Sequence, residues 1–343
     1  MRNRGNGGRS HLAGLVLGLT AALTLLLVAF AWPPSELRPR DLPVAVAGPP
    51  GAAQQVSAAV DDALGSGALD VRAVPSRTAA VAAIENRDVY GAVVVSPSGP
   101  EMLVASAGSP VVAQSLTLLG AQLAARNGTT PRVADVVPLP AADPHGAVFA
   151  AGAFPLVIGG IAVGAALALA LDRRRTKVAT VLGLSVAAGL SLAAVQQFWF
   201  DALGGSYWAN SGVYALAIGA MAAIVTGLHQ ALGRVGLALA AATILLLGNP
   251  LSGITSAPEL LPSGWSLLGQ LLPPGAAGTA LRSTAFFDGA GAATSLLVLA
   301  GWLAVGLALL AWPARSSVPS AQGHPARRTG SREGKAVDAP HAA

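Results

Sequence analysis

Residues 148–171 read VFAAGAFPLVIGGIAVGAALALAL, an unbroken run without a single charged side chain. A hydrocarbon core of about 30 Å is crossed by roughly 20 apolar residues in helical form. The run is therefore a membrane-spanning helix by length and composition. Five further stretches are similar, at about residues 12–32, 178–200, 207–228, 235–253 and 290–312. None carries a charge near its centre. The expected fold class is a mainly α membrane protein: six transmembrane helices with an extracytoplasmic α/β domain inserted between the first and second.

The composition agrees. Of 343 residues, 53% are hydrophobic and only 11% charged, and the mean hydropathy is +0.60; a soluble domain carries about 25% charged residues. The 41 glycines suit close helix contacts in lipid. The formal charge of +5 comes from arginines beside the apolar runs, so it reports topology rather than nucleic-acid binding. Arginine far outnumbers lysine, as in GC-rich bacterial genomes. There is no cysteine, which excludes disulfides, thiolate nucleophiles and cysteine-based metal sites.

Residues 1–11 carry three arginines and no acid, and 12–32 follows as the first helix. Ala29-Phe30-Ala31 has the form of a signal-peptidase site. The apolar run exceeds the roughly 7–15 residues of a secretory signal, and Pro33 and Pro34 lie just beyond the would-be cut, so an uncleaved anchor is expected.

Charges return over 33–147. Strand patterns at 42–47, 69–74, 90–95 and 133–139 alternate with helical patterns at 52–64, 76–86 and 109–126. Ser76 is a candidate N-cap, and 97–100 turns the third strand into a hairpin partner at 101–105. This alternation points to a small α/β domain. The remaining residues form a five-helix transmembrane domain over 148–312, with an unusual segment at 254–289. A polar tail at 313–343, rich in Arg, Ser, Gly and Pro, is expected to be disordered.

Charge sets the orientation. With the N-terminus inside, the cytoplasmic segments 1–11, 172–177, 229–234 and 313–343 hold 13 of the 21 lysines and arginines. Arg173, Arg174, Arg175 and Lys177 crowd one short loop, whereas 201–206 holds no cation. These four are the topology determinants. Both termini are expected in the cytoplasm of a cell-membrane protein, with 33–147 outside. Trp199, Tyr207 and Trp208 would form an outer aromatic belt.

Candidate chemistry is sparse. Gly330 to Ala336 approaches a phosphate-binding loop but lacks its final Ser/Thr and a preceding strand, so nucleotide-driven work would need a separate subunit. The helix centres carry only hydroxyls, among them Thr20, Thr24, Ser185 and Ser191, which argues against proton coupling. The five histidines are scattered, and neither a catalytic triad nor a carboxylate pair is present. No enzyme activity and no cofactor or metal are expected. Gln196, Gln197 and Asp201 either form a polar mouth to a pathway or bond water and headgroups at the interface. Gly14/Gly18 and Gly160/Gly164 either pack within the subunit or drive dimerisation. Asn127-Gly128-Thr129 matches a glycosylation sequon.

The most distinctive stretch is 249–289, NPLSGITSAPELLPSGWSLLGQLLPPGAAGTALRSTAFFDG. Asn249-Pro250 opens it, four further prolines interrupt it, and Leu261, Trp265, Leu268 and Leu272 share a helical face. A short helix lying in the interface or re-entering the membrane is expected. Arg282 and Asp288 either pair or touch headgroups, and Ser256 and Ser283 are expected to be reachable from the outer aqueous phase.

That stretch resembles one in bacterial type-2 ABC transporter permeases, near the phage-infection-protein-like branch. The similarity extends through LPVAVAGPP (42–50), IENRDVYGAVVV (84–95), ASAGSPVVAQ (105–114), the PELLPSGWSLLGQLLPPGA segment (258–276) and RSTAFFDG (282–289). It covers about residues 10–312, including one helix, an outer domain and five clustered helices. The resemblance implies the membrane-spanning subunit of an exporter, energised by a separate ATP-binding cassette ATPase and acting as a homodimer or heterodimer. The family defines no substrate that carries over. The inner loops are shorter than such a partner would need. The rival expectation is a non-transporting envelope receptor or scaffold acting through its outer domain. The lipid bilayer is a partner in either case, and nucleic acid in neither.

Overall fold

The computed structural model describes residues 5–97, 99–126 and 128–312. The expected tail at 313–343, the phosphate-loop-like sequence within it and Asn127 of the sequon lie outside the described residues.

Helix α1 runs from Gly5 to Ser35, and its apolar part, Leu12–Ser35, is long enough to cross a membrane. No residue of that span's apolar window is buried in the protein. Only its end meets other elements, where the Trp32 and Trp265 rings stand edge to face at 5.4 Å.

The α/β region follows. Strand β1 (Leu42–Ala47) leads through α2 (Ala52–Leu64) to β2 (Leu69–Val74), and α3 (Arg77–Glu85) leads to β3 (Gly91–Ser96). A hairpin gives β4 (Gly99–Val104), and α4 (Pro110–Arg126) returns the chain to β5 (Arg132–Asp135). The sheet order is β2-β1-β3-β4-β5. β1 pairs in parallel with β2 and β3, β4 runs antiparallel to β3, and β5 is parallel to β4.

The sequence explains these elements. LPVAVA of β1 is apolar on both faces, as a strand covered on both sides must be. Ser76 Oγ accepts the Ala79 amide at 3.1 Å, the expected N-cap. Val56 and Val60 of α2 and Leu116 of α4 pack with Val44, Val46 and Met102 on one face of the sheet. Ile84 of α3 packs with Ala45, Ala47 and Leu103 on the other. Strand β5 ends at Asp135 rather than Leu139. The Asp135 carboxylate accepts the Ser106 amide, and Pro138 has no N–H to continue the ladder.

The short α5 (Ala147–Ala151) leads into α6 (Ala153–Ala170). Helix α7 (Arg174–Ala194) ends in a π-helical turn, Val195–Trp199, before α8 (Tyr207–Leu232). Helix α9 (Arg234–Ala242) continues as a π-helical segment, Thr243–Gly248, and α12 (Ala293–Ala311) closes the described chain. α8 is central: α6, α7, α9 and α12 pack around it, and most of its length is buried.

Among the described residues, five helices are long and apolar enough to cross a membrane: Leu12–Ser35, Ala147–Ala170, Arg174–Trp199, Tyr207–Leu232 and Ala293–Ala311. The expected span at 235–253 is shorter. Its helix, Arg234–Gly248, covers roughly 22 Å at 1.5 Å per residue. It stops because Pro250 lacks a backbone donor. Gly248 there lies so close to Pro274 that a Cβ would stand 2.8 Å from its Cγ.

The segment 254–289 contains a 3₁₀ turn, Pro258–Leu260, then α10 (Trp265–Leu271) and α11 (Pro273–Phe286). The prolines at 273 and 274 start α11, where a missing N–H costs nothing. α11 does not rest on the lipid surface. It is largely buried against α8 and α12. Its neighbours enter the α/β region from below. Ala257 and Leu260 complete the core under α2 and α4, and Phe287 completes the one under α3.

Candidate functional site

The side chains that join the α/β region to the helices surround a cavity of about 430 Å3. Arg87 follows the C-cap of α3 with φ at 62°, the left-handed position normally given to glycine. An L-residue there costs about 1 kcal/mol. From it, the guanidinium reaches α11. Nη1 donates to Thr279 O at 3.0 Å and to Ser283 Oγ, and the group lies 5.3 Å from the Phe287 ring centroid. Burial pulls Arg87 below its ordinary pKa.

Three residues on, the Tyr90 hydroxyl donates to Glu259 Oε2 at 2.6 Å. Burial, then the Glu259 charge, push Tyr90 well above the usual phenol range. Arg40 adds a strap: its amide donates to Glu259 O, and its Nη1 donates to Leu260 O at 2.7 Å.

Arg282 sits behind this cavity, only 5% exposed. Nη1 donates to Ala107 O at 2.9 Å and Nη2 to Ile254 O at 2.7 Å, and the guanidinium lies 4.8 Å from the Phe149 ring centroid. It therefore ties the α/β region, the 254–289 segment and α5 together. Asp288 is exposed in a left-handed turn, and no ion pair joins it to Arg282 among the described residues. Ser256 and Ser283, expected to face water, are 5% and 0% exposed because the α/β region covers them. Thr255 and Asp288 are the exposed positions beside them.

A second polar group lies among the helices. The π-helical turn after α7 carries Gln196 and Gln197. Tyr214 donates to Gln196 Oε1 at 2.8 Å. Asn210 donates to Gln197 Oε1 at 3.1 Å, and Thr284 donates to Asn210 Oδ1 at 2.8 Å, linking α7, α8 and α11. Asp201 is exposed with a positive φ and belongs to neither group. Asn249 turns the chain, and its carbonyl accepts the Ser252 hydroxyl at 2.8 Å. Trp265 meets Trp32 as described.

Arg173 and Arg175 are exposed at the start of α7, while Arg174 reaches Ala311 O at 3.4 Å. Lys177 is buried, and its ammonium donates to Ala168 O in the last turn of α6. Of the hydroxyls in the apolar helices, Thr24 and Ser191 bond their own backbone, whereas the buried Ser185 and Ser211 Oγ atoms have no partner among the described residues. Gly160 and Gly164 pack against Met221, Ala222 and Val225 of α8; Gly14 and Gly18 have nothing within 4 Å of a Cβ position.

Sequence reasoning missed Arg87, Tyr90 and Glu259 as a group. The signal for Arg87 was its place after Asn86 at a helix end, where glycine is usual; Glu259 carried none. Among the described residues, no cluster of three metal-ligating side chains occurs. Comparison with known proteins finds no matching family model, curated protein or solved structure.

Proposed function

We propose that the protein is the membrane-spanning permease subunit of an ABC-type exporter, energised by a separate ATPase. The reading takes α9 with its π-helical extension as a sixth crossing. It takes 33–147 as extracytoplasmic and both termini as cytoplasmic, in the cell membrane. One observation carries it: the α/β region is fixed to α11 by the half-buried Arg87 and the buried Arg282 and Phe287, and α11 packs on the central α8. A shift of the bundle helices on ATP binding would thus be passed to the outer domain. The uncovered apolar length of α1 supports a second subunit beside it.

A specific feature favours the rival reading, an envelope receptor or scaffold. Only Leu171–Arg173 separates α6 from α7, and only Gly233 separates α8 from α9. Among the described residues, that leaves no helix on the basic side for an ATPase to grip. Purification of the tagged protein from native membranes in mild detergent tests the choice. An ATP-binding cassette protein in stoichiometric amount supports the permease; its absence, with a soluble envelope protein retained instead, supports the receptor.

A further inference from the structure

We infer that the cavity between the α/β region and helices α10–α12 is a binding site for an anionic phospholipid-type amphiphile, held by Arg87. This deepens the permease reading by naming the class of its cargo.

Charge is the first ground. Arg87 and Arg282 lie close together at the junction, with one carboxylate, Glu259, nearby. Neither guanidinium has a carboxylate oxygen within 4 Å among the described residues, and Glu259 is bonded to Tyr90. Buried charges are normally paired. Arg282 spreads its charge over two carbonyls and a ring. Among the described residues Arg87 bonds through Nη1 alone, so Nε and Nη2 remain for a ligand. An anion at Arg87 would balance the excess positive charge, and guanidinium matches phosphate geometry.

Shape is the second ground. The cavity volume, about 430 Å3, lies in the range of ligand sites but is too small for a whole lipid. Its lining is mixed: Arg87, Glu259 and Thr279 meet at the junction, and Leu267, Leu271 and Val298 of α10 and α12 add an apolar wall interrupted by Ser266, Gln270, Thr294 and Ser295. Leu267 and Leu271 are 66% and 49% exposed, so this wall continues out along α10. A phosphate head fits inside, and its chains lie along α10 and α12. A soluble anion would leave the apolar wall without a function.

Backbone is the third. Glycine would relieve the left-handed strain at position 87, yet arginine stands there. The side chain has a use that offsets that strain.

The full chain purified in detergent is titrated with phosphatidylglycerol, with phosphatidylcholine of the same acyl chains and with inorganic phosphate, and bound lipid is counted by native mass spectrometry. Phosphatidylglycerol should bind at least tenfold more tightly than phosphatidylcholine, and inorganic phosphate should not compete at equal concentration. Arg87→Gly suits the backbone at that position and should reduce the preference to below twofold. Thr294→Trp, an exposed cavity residue, should block the mouth and weaken both lipids. Arg72→Gln, which breaks an exposed ion pair at the sheet edge, should leave the preference intact. Equal binding of the two lipids, or a preference surviving in both site variants, would overturn the inference. Competition by inorganic phosphate would identify a free-anion site instead. The measurement needs no ATPase, so failure of the permease reading leaves its result unaffected.

Discussion

The Tyr90 hydroxyl and the Glu259 carboxylate meet at 2.6 Å although 169 residues separate them. One immediately precedes β3, the other belongs to the 3₁₀ turn before α10. Their bond, with those of Arg40, Arg87 and Arg282, makes the α/β region and the helices one continuous packed body rather than a domain on a tether.

Removing that bond should loosen the junction. A hydrogen bond to a charged group contributes about 1.5–3 kcal/mol. Tyr90→Phe and Glu259→Gln should each lower the thermal midpoint in detergent. The double variant should cost clearly less than the sum, because the two residues act on one interaction. Full additivity would mean that the pair is not coupled.

The same residue predicts a pH response. Tyr90 is raised above its ordinary value, so the folded state holds its proton more tightly than the unfolded chain does. Its contribution is complete below the unfolded phenol pKa, about 10, and is lost as pH rises beyond it. The wild-type midpoint should therefore fall more steeply than that of Tyr90→Phe above about pH 10. Parallel curves for the two proteins would refute this.

Arg282 should tolerate little. Its charge-assisted bond to Ala107 O is buried and that to Ile254 O part-buried, and loss of both costs about 3 kcal/mol or more. Arg282→Gln should be strongly destabilised. Arg282→Lys should recover only part of the loss, since one ammonium cannot reproduce the planar fork. Complete recovery with lysine would show that charge alone matters there.

The two glycine pairs should behave differently. At Gly164 a Cβ would stand 2.7 Å from Val225 Cβ and 2.8 Å from Ala222 O. Gly164→Ala should cost about 1–3 kcal/mol through overpacking. Gly14→Ala and Gly18→Ala should leave the thermal stability of a single subunit unchanged, because no atom of the described residues lies within 4 Å of a Cβ at either position. Should they instead disperse a cross-linkable dimer, α1 is the dimer contact.

Orientation can be read by thiol labelling, since the chain has no cysteine. Thr255→Cys and Asp288→Cys, both exposed, should react with an impermeant reagent in intact cells, and Thr176→Cys only after the inner face is opened. The reverse pattern would invert the proposed topology.

Much of this fold was legible in the chain. Apolar length marked five helices long enough to cross a membrane, and short apolar, β-branched runs alternating with helix-period patterns marked the strands and helices from Leu42 to Arg126, because both signals are local. Ser76 capped its helix as expected because a cap needs only the next three residues. The failures have one cause. Ser256, Ser283 and Arg282 read as water-facing because a polar residue near a proline-rich segment normally is. The glycines at 14 and 18 looked the same as those at 160 and 164. The sequence determined which segments are apolar, which turn and which alternate. Only the tertiary structure decided that α11 is enclosed, that Arg87, Tyr90, Glu259 and Arg282 share one junction, and that one glycine pair is packed while the other is bare. The reason is physical: a polar group at the junction is defined by partners up to 220 residues away, and local periodicity carries no record of them.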